Sequence, residues 1–468
     1  MMQRRSVPLP HVRAGWRVAW RLMWRRRSCA ALLACMALFA VGAGCSPESA
    51  DEFDPPLAPG VTTHAVRIGS SLALTGHASF LGLQTLQGAN TLLLEVNEQG
   101  GVHGRQIELV AQDDGYDPPR CLMNTQHFLV EQNIFALFCY VGTPTTVKII
   151  PLVQRARIPL IGMFTGAKDL REPFNRYIIN VRASYYQETG AAVEHIVEQL
   201  GMRKIAIFYQ YDAYGLDGLR GAELALLQYD AAPVAKSSYI RGTLQVEHGL
   251  ERILESDAEA VIMIGTYEPC AKFIKLAKAA GKNLLFYNVS FVGAEELARL
   301  LGEAGEGVIV SQVVPPPELP ESRELMHEVQ TYMDLSSKHF PESPTSSVSL
   351  EGYLNALVLV DGLQRAGPNL TREGFIDAVE SIRERRLGKN TAISFGKDDH
   401  QGLDAVYFTW IRNGRLNLIT DWKEVRQVFK PQEDVVSFPA AAAVDVSDGN
   451  TTGGRPGETD AANASGGQ

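Results

Sequence analysis

From Ala65 to Trp422 the chain alternates short, continuously apolar runs with longer stretches in which apolar residues recur every three or four positions. The first spacing fits a strand buried on both faces, the second an amphipathic helix. Val66–Leu74 reads as a strand. Leu83–Gln99, with Leu83, Leu86, Leu93 and Val96 near one face, reads as a helix that Gln99-Gly100-Gly101 stops. Strands over Gln106–Gln112, Phe135–Tyr140 and Pro159–Met163 then alternate with helices over Pro119–Gln132 and Pro144–Arg155. Such repeated βα units predict a parallel sheet with both faces covered.

The alternation then begins again. Strands are predicted at Lys204–Tyr209, Ser237–Arg241, Ala260–Ile264, Leu284–Val289 and Val308–Val314, with helices at Gly218–Leu227, Glu247–Glu255 and Cys270–Ala280 between them. A second lobe of the same α/β kind follows. Helical spacing returns around Glu321–Lys338, Ser349–Ala366 and Arg372–Ile382, and the body closes with Ala392–Phe395 and a hairpin, Ala405–Ile411 and Arg415–Thr420, turning at Asn413-Gly414. The fold class is therefore α/β with two Rossmann-like lobes, and no short-period repeat argues for a solenoid or propeller.

The two ends stand apart from this body. All eight charges in residues 1–44 are arginines, and Arg25-Arg26-Arg27 precedes the apolar run Cys29–Val41, too short to span a hydrocarbon core of ~30 Å comfortably. Residues 1–44 thus read as a signal peptide, with translation beginning at Met1 or at Met23. Gly42-Ala43-Gly44-Cys45 resembles a bacterial lipobox, which implies an acylated Cys45 as the mature N-terminus; Gly42 stands where lipoboxes prefer Leu. A cleaved soluble signal and an uncleaved anchor are the alternatives. Residues 45–64, with Pro47, Pro55, Pro56 and Pro59, read as a lipidated tether, and residues 437–468 as a disordered tail.

Removing the leader changes the charge balance. Of 44 basic residues 36 remain against 53 acidic ones, a net charge of −17. A body this acidic has no counterion-release route to nucleic acid, and it meets membrane through its anchor alone. Cys121, Cys139 and Cys270 remain after the leader and Cys45 are set aside, an odd number in an oxidising compartment. Both a Cys121–Cys139 bridge and buried free thiols are open.

Catalytic and cofactor patterns are missing. There is no Gly-x-Gly-x-x-Gly after the first strand, no P-loop, no Gly-x-Ser-x-Gly elbow and no close His/Cys grouping, so no enzyme, cofactor or metal is expected. Asp113-Asp114 reads as a solvated or capping pair. What remains lies at strand C-termini, where open parallel sheets hold ligands: Gly142–Thr146 and Phe164–Ala167. A helix starting at Pro144 offers free N–H groups, with Thr143 as cap or direct contact.

Gln112–Pro118, Tyr140–Thr145, Phe164–Ala167 and Glu95–Gly104 together resemble the leucine/isoleucine/valine-binding branch of the type I periplasmic solute-binding proteins of ABC transporters. The resemblance runs from about Val66 to Trp422. It implies two lobes joined by a three-strand hinge, residues 65–181 plus 314–393 and residues 182–313 plus 394–428, with crossings near Val181–Ser184, Val313–Pro317 and Ala392–Phe395. The family's aromatic positions fall on Tyr214 and Tyr267. Its carboxylate-binding serine falls on Gly142, beside Thr143, and its threonine on Gly166, beside Thr165; an offset of one residue preserves both hydroxyls. Where amino-acid binders carry an acid for the ligand's α-ammonium, this chain has Ser290.

The implied ligand-binding set is Thr143, Thr165, Gly166, Tyr214, Tyr267 and Ser290. Because a closed cleft strips water from an unpaired ammonium, the expected ligand is an amide, a carboxylate without an ammonium or a larger apolar molecule, unless Glu268, Glu351 or Asp114 supplies the charge. The expected function is a monomeric, lipid-anchored periplasmic component of an ABC importer, capturing a small organic solute for its permease subunits without transforming it. A periplasmic sensor subunit or carrier of a lipid-like ligand on the same fold is the second reading.

Overall fold

The computed structural model describes residues 57–389 and 391–429. The expected signal peptide, Cys45, most of the expected tether and the expected tail from 437 lie outside the described residues.

The first lobe follows the predicted alternation: β1 (Ala65–Leu72), α1 (Ser79–Glu98), β2 (Gln106–Asp113), α2 (Pro118–Val130), β3 (Ala136–Phe138), α3 (Thr143–Ala156), β4 (Leu160–Ile161) and β5 (Ile178–Ile179). Its five strands are all parallel, in the order β2-β1-β3-β4-β5. The second lobe runs through α4 (Tyr185–Glu194), β6 (Ile205–Gln210), α5 (Ala213–Leu227), β7 (Ala235–Tyr239), α6 (Glu247–Leu254), β8 (Ala260–Ile264), α7 (Tyr267–Ala279), β9 (Leu285–Asn288), α8 (Ala294–Leu301) and β10 (Ile309–Gln312). There follow α9 (Pro320–Leu325), α10 (Glu328–His339), α11 (Ser347–Ala366), α12 (Arg372–Glu380), β11 (Arg385–Arg386), β12 (Ala392–Ile393), β13 (Tyr407–Arg412), β14 (Arg415–Leu418) and α13 (Trp422–Phe429). The second sheet is ordered β14-β13-β10-β9-β8-β6-β7, parallel except where β13 joins β10 and β14. All five residues of β8 are buried, as a strand covered on both faces requires. Asn413 and Gly414 both have positive φ, 51° and 71°, which places the predicted turn between β13 and β14.

The chain passes between the sheets three times. It leaves the first after β5 and the second after β10, then returns at β13. In between, α11 crosses back to cover the first lobe. There Gly88 of α1 and Gly352 of α11 let the two backbones meet: a Cβ on Gly88 would lie 1.7 Å from the Ser349 carbonyl oxygen, and one on Gly352 2.2 Å from that of Thr85. The first and third passes run side by side, with Asn180 N–H donating to His400 O and Gly402 N–H to Asn180 O, both at 2.8 Å.

Several local boundaries differ from expectation. Helix α5 starts at Ala213 rather than Gly218, because Asp212 caps the N–H groups of Tyr214 and Gly215. Helix α7 starts at Tyr267 rather than Cys270. The stretch read as one helix around Glu321–Lys338 breaks at Met326–His327. Ala392–Ile393 pairs with Arg385–Arg386, so the third pass lies further along the chain, near Gln401. Cys121, Cys139 and Cys270 are buried free thiols, which settles the open disulfide question.

Candidate functional site

Strand C-termini of both lobes deliver the site. After β2 the chain turns at Tyr116; after β3 it turns at Gly142, where α3 begins; after β4 it runs through Phe164, Thr165 and Gly166. Gly142 has φ 94° and ψ 150°, and a Cβ there would lie 2.1 Å from Tyr116 Cε2. The Tyr116 ring thus occupies the space a side chain at 142 would need, which accounts for the missing family serine. A Cβ on Gly166 would lie 2.6 Å from the Tyr185 nitrogen. Glycine is required at both positions, and the hydroxyls come from their neighbours. Thr143 Oγ1 and Thr165 Oγ1 are both buried and 2.7 Å apart. Thr143 does not cap α3; Gly142 holds the N-cap position without a side-chain bond.

Around this hydroxyl pair stands a set of aromatic rings from both lobes. Phe291, in the turn after β9, is central: its ring centroid lies 5.9 Å from Tyr116, 5.5 Å from Phe164 and 4.7 Å from Tyr214. Tyr214 in turn lies 5.2 Å from Tyr185. Gln210 Nε2 donates across the lobes to Tyr116 Oη at 3.3 Å. Tyr267 is placed apart from this group, its ring edge-on to Phe80 of α1 at 6.1 Å and its hydroxyl accepting from Phe80 N–H at 3.4 Å. Burial holds the phenols of Tyr116 and Tyr214 well above their ordinary range, so they remain neutral.

Ser290 belongs to a buried ionic network that the sequence did not reveal. Glu188 of α4, fully buried, accepts from Ser290 N–H (2.8 Å), Ser290 Oγ (3.0 Å), Ser311 Oγ (2.6 Å) and Arg182 Nη2 (3.0 Å). Arg182 also donates to Ser290 Oγ, and its Nη1 lies 3.2 Å from Glu351 Oε2 without hydrogen-bond alignment. The guanidinium carbon sits 5.1 Å from the Phe164 ring centroid and 5.8 Å from that of Tyr185, so the network adjoins the aromatic group. Burial pushes the Glu351 carboxyl up to about 8, against the opposing pull of Arg182. Arg182 Nε and Nη1 find no hydrogen-bond acceptor among the described residues, nor do the Asn288 side-chain atoms a partner.

The other acids that the sequence singles out are committed or exposed. Burial raises Asp114 to about 6, and its two oxygens accept from Ser71 Oγ and Tyr116 N–H. Asp113, its neighbour, receives Leu74, Thr75 and Gly115 N–H groups and Arg120, a capping role. Glu268 is exposed. Among the described residues one set, Glu95, Glu98 and His339, could draw close around a metal ion. The Lys338 ammonium already lies 2.5 and 2.7 Å from the two carboxylates and supplies their positive charge.

This geometry agrees with a wider likeness. A family model described as periplasmic binding protein matches residues 65–415, three quarters of the chain. The chain is a type I periplasmic binding protein of the leucine/isoleucine/valine-binding branch. A possible leucine/isoleucine/valine-binding protein from Rhodopirellula baltica SH 1 is 33% identical, with 80% of this chain and 100% of that one covered at a TM-score of 0.73. The leucine-specific-binding protein of Salmonella typhimurium is 20% identical over 359 residues, 76% of this chain and 93% of that protein. A fatty acid ABC transporter substrate-binding protein from Thermomonospora curvata, 22% identical with 80% and 96% coverage and a TM-score of 0.70, shares the fold. Periplasmic binding proteins of this family hold solutes and are not enzymes.

Proposed function

We propose that this binding protein is the lipid-anchored capture subunit of an ABC importer, monomeric, tethered by an acylated Cys45 and presenting a small organic solute to permease subunits as its lobes close. The ligand we propose is a carboxylate or amide lacking an α-ammonium, touched by Thr143, Thr165 and Gly166 from one lobe and Tyr214, Tyr267 and Ser290 from the other. The observation that carries this reading is the state of the buried charges beside Ser290. Glu188 is already matched by Arg182, Ser290 and Ser311, and Glu351, with its carboxyl held near 8, is mostly uncharged at neutral pH. Neither of these two carboxylates is left for an ammonium, whereas Arg182 Nε and Nη1 have no hydrogen-bond acceptor among the described residues and suit a carboxylate or carbonyl oxygen.

Calorimetric titration against short carboxylates, their amides and branched-chain amino acids tests the ligand class. Binding of leucine, isoleucine or valine with silence from the rest would overturn it. Metabolic labelling with a radioactive fatty acid should mark the wild-type chain and spare Cys45→Ala; equal labelling refutes the anchor.

A second reading, a sensor subunit or carrier of a lipid-like ligand, is favoured by the aromatic group of Tyr116, Phe164, Tyr185, Tyr214 and Phe291. The Thermomonospora protein named for fatty acids shares this fold. Organic extraction of the purified protein followed by mass spectrometry separates the two readings by the mass released.

A further inference from the structure

Away from the aromatic group, two acids of the second lobe reach across to the first. Glu295, in the first turn of α8, accepts the Ser347 N–H at the start of α11 at 2.6 Å. Ser346 already caps that helix by accepting the Ser349 N–H, so Glu295 takes a donor that this cap does not reach. The other Glu295 carboxylate oxygen is buried without a donor among the described residues, so the hydrogen bond that holds this carboxylate comes from the far lobe.

Asp217 of α5 makes a second contact of the same kind. It accepts the Lys168 N–H at 3.1 Å, at the start of a short helical turn, Lys168–Leu170, for which Ala167 offers no side-chain cap. Each acid thus caps a helical turn in the opposite lobe, a bond that exists only while the lobes are together. The start of α8 is shaped for a close approach: Gly293, just before it, has φ 74°, and a Cβ there would lie 2.9 Å from Leu81 Cδ2 of α1.

We propose that Glu295 and Asp217 are positioning residues that set the balance between open and closed lobes, contributing to solute capture without touching the solute. The inference rests on capture by lobe closure and not on which solute is held.

Double electron–electron resonance tests it, between spin labels carried on p-acetylphenylalanine at Leu83 of α1 and Leu244 after β7, exposed positions in opposite lobes. The sample is the full chain, stripped of solute by dialysis from denaturant. The ratio of short to long distances should fall about ten-fold in Glu295→Ala and in Asp217→Ala, and about a hundred-fold in the double variant, since the two contacts share no partner. Glu295→Gln and Asp217→Asn keep an oxygen that accepts the N–H and should stay within about three-fold of the wild-type ratio. Ser347→Pro withdraws the donor from the other lobe, at a first helical position that tolerates proline, and should cost about ten-fold alone and nothing further beside Glu295→Ala. A wild type with two distances whose ratio the alanine variants leave unchanged, amides no better than alanines, or additive losses from Ser347→Pro and Glu295→Ala would each overturn this inference alone. One distance shared by the wild type and every variant would overturn lobe closure with it.

Discussion

Replacing Gly142 by serine restores the residue type that amino-acid binders of the family carry, yet the structure predicts that this chain will not tolerate it. A Cβ at 142 would stand 2.1 Å from Tyr116 Cε2 and 2.8 Å from Cδ2, far inside contact distance, and the backbone there has φ 94°. That backbone region is nearly closed to residues other than glycine, with strain of about 1–3 kcal/mol. The ring must also leave, which removes its packing on Phe291 and its bond from Gln210. Those two contacts are worth roughly 0.5–1.5 kcal/mol each. The expected loss is therefore roughly 2–6 kcal/mol, a large share of the ~5–15 kcal/mol that holds most folded proteins. Urea unfolding followed by tryptophan fluorescence measures it as a fall in midpoint at constant slope. In a Tyr116→Ala background the steric conflict is gone, and the same serine should cost only the backbone strain of about 1–3 kcal/mol. Equal losses in the two backgrounds, or a loss below about 1 kcal/mol in the wild type, would show that Tyr116 does not explain the glycine.

Three further outcomes follow from the same interior. Arg182→Met leaves Glu188 buried without its cation and should lower stability by about 3–5 kcal/mol, read by the same unfolding curve; an unchanged midpoint would contradict the pairing. Because the folded protein holds Glu351 near 8 against an ordinary 4.5, it keeps a proton that the unfolded chain releases. Stability should thus fall as pH rises from about 4.5 to 8, and Glu351→Gln should remove that part of the slope; identical pH profiles would refute the shift. Burial pushes the thiols of Cys121, Cys139 and Cys270 far above their ordinary range. A disulfide reagent should therefore leave all three untouched in the native protein and modify them in denaturant, and rapid native labelling would contradict their burial.

Much of the framework was legible because burial writes itself into local spacing. The wholly buried strand β8, the almost wholly buried β6 and the hairpin around Asn413-Gly414 need no distant partner to be read. Helix α4 carries a local signal of its own, the capping box of Ser184 and Gln187. Gly215 and Gly218 disguised the start of α5, although they serve packing: a Cβ on Gly215 would lie 1.8 Å from the Gln210 carbonyl oxygen. At the site, the paired hydroxyls of Thr143 and Thr165 were visible as neighbours of two glycines. Tyr116, Phe291, Arg182 and Glu188 were not, since the contacts that join them into one site, Glu188 to Ser290 and Tyr116 to Phe291, link segments about 100 residues or more apart.

The glycine-lined seam between α1 and α11 has a consequence for biogenesis. A ribosome must emit some 250 further residues after α1 before its cover arrives, and a chain threaded across a membrane N-terminus first meets the same delay. Through that interval the flank around Gly88 stays bare to water and to strangers. The first half made waits uncovered until α11 follows it, and chaperones that shield unfinished export cargo have a defined stretch to guard.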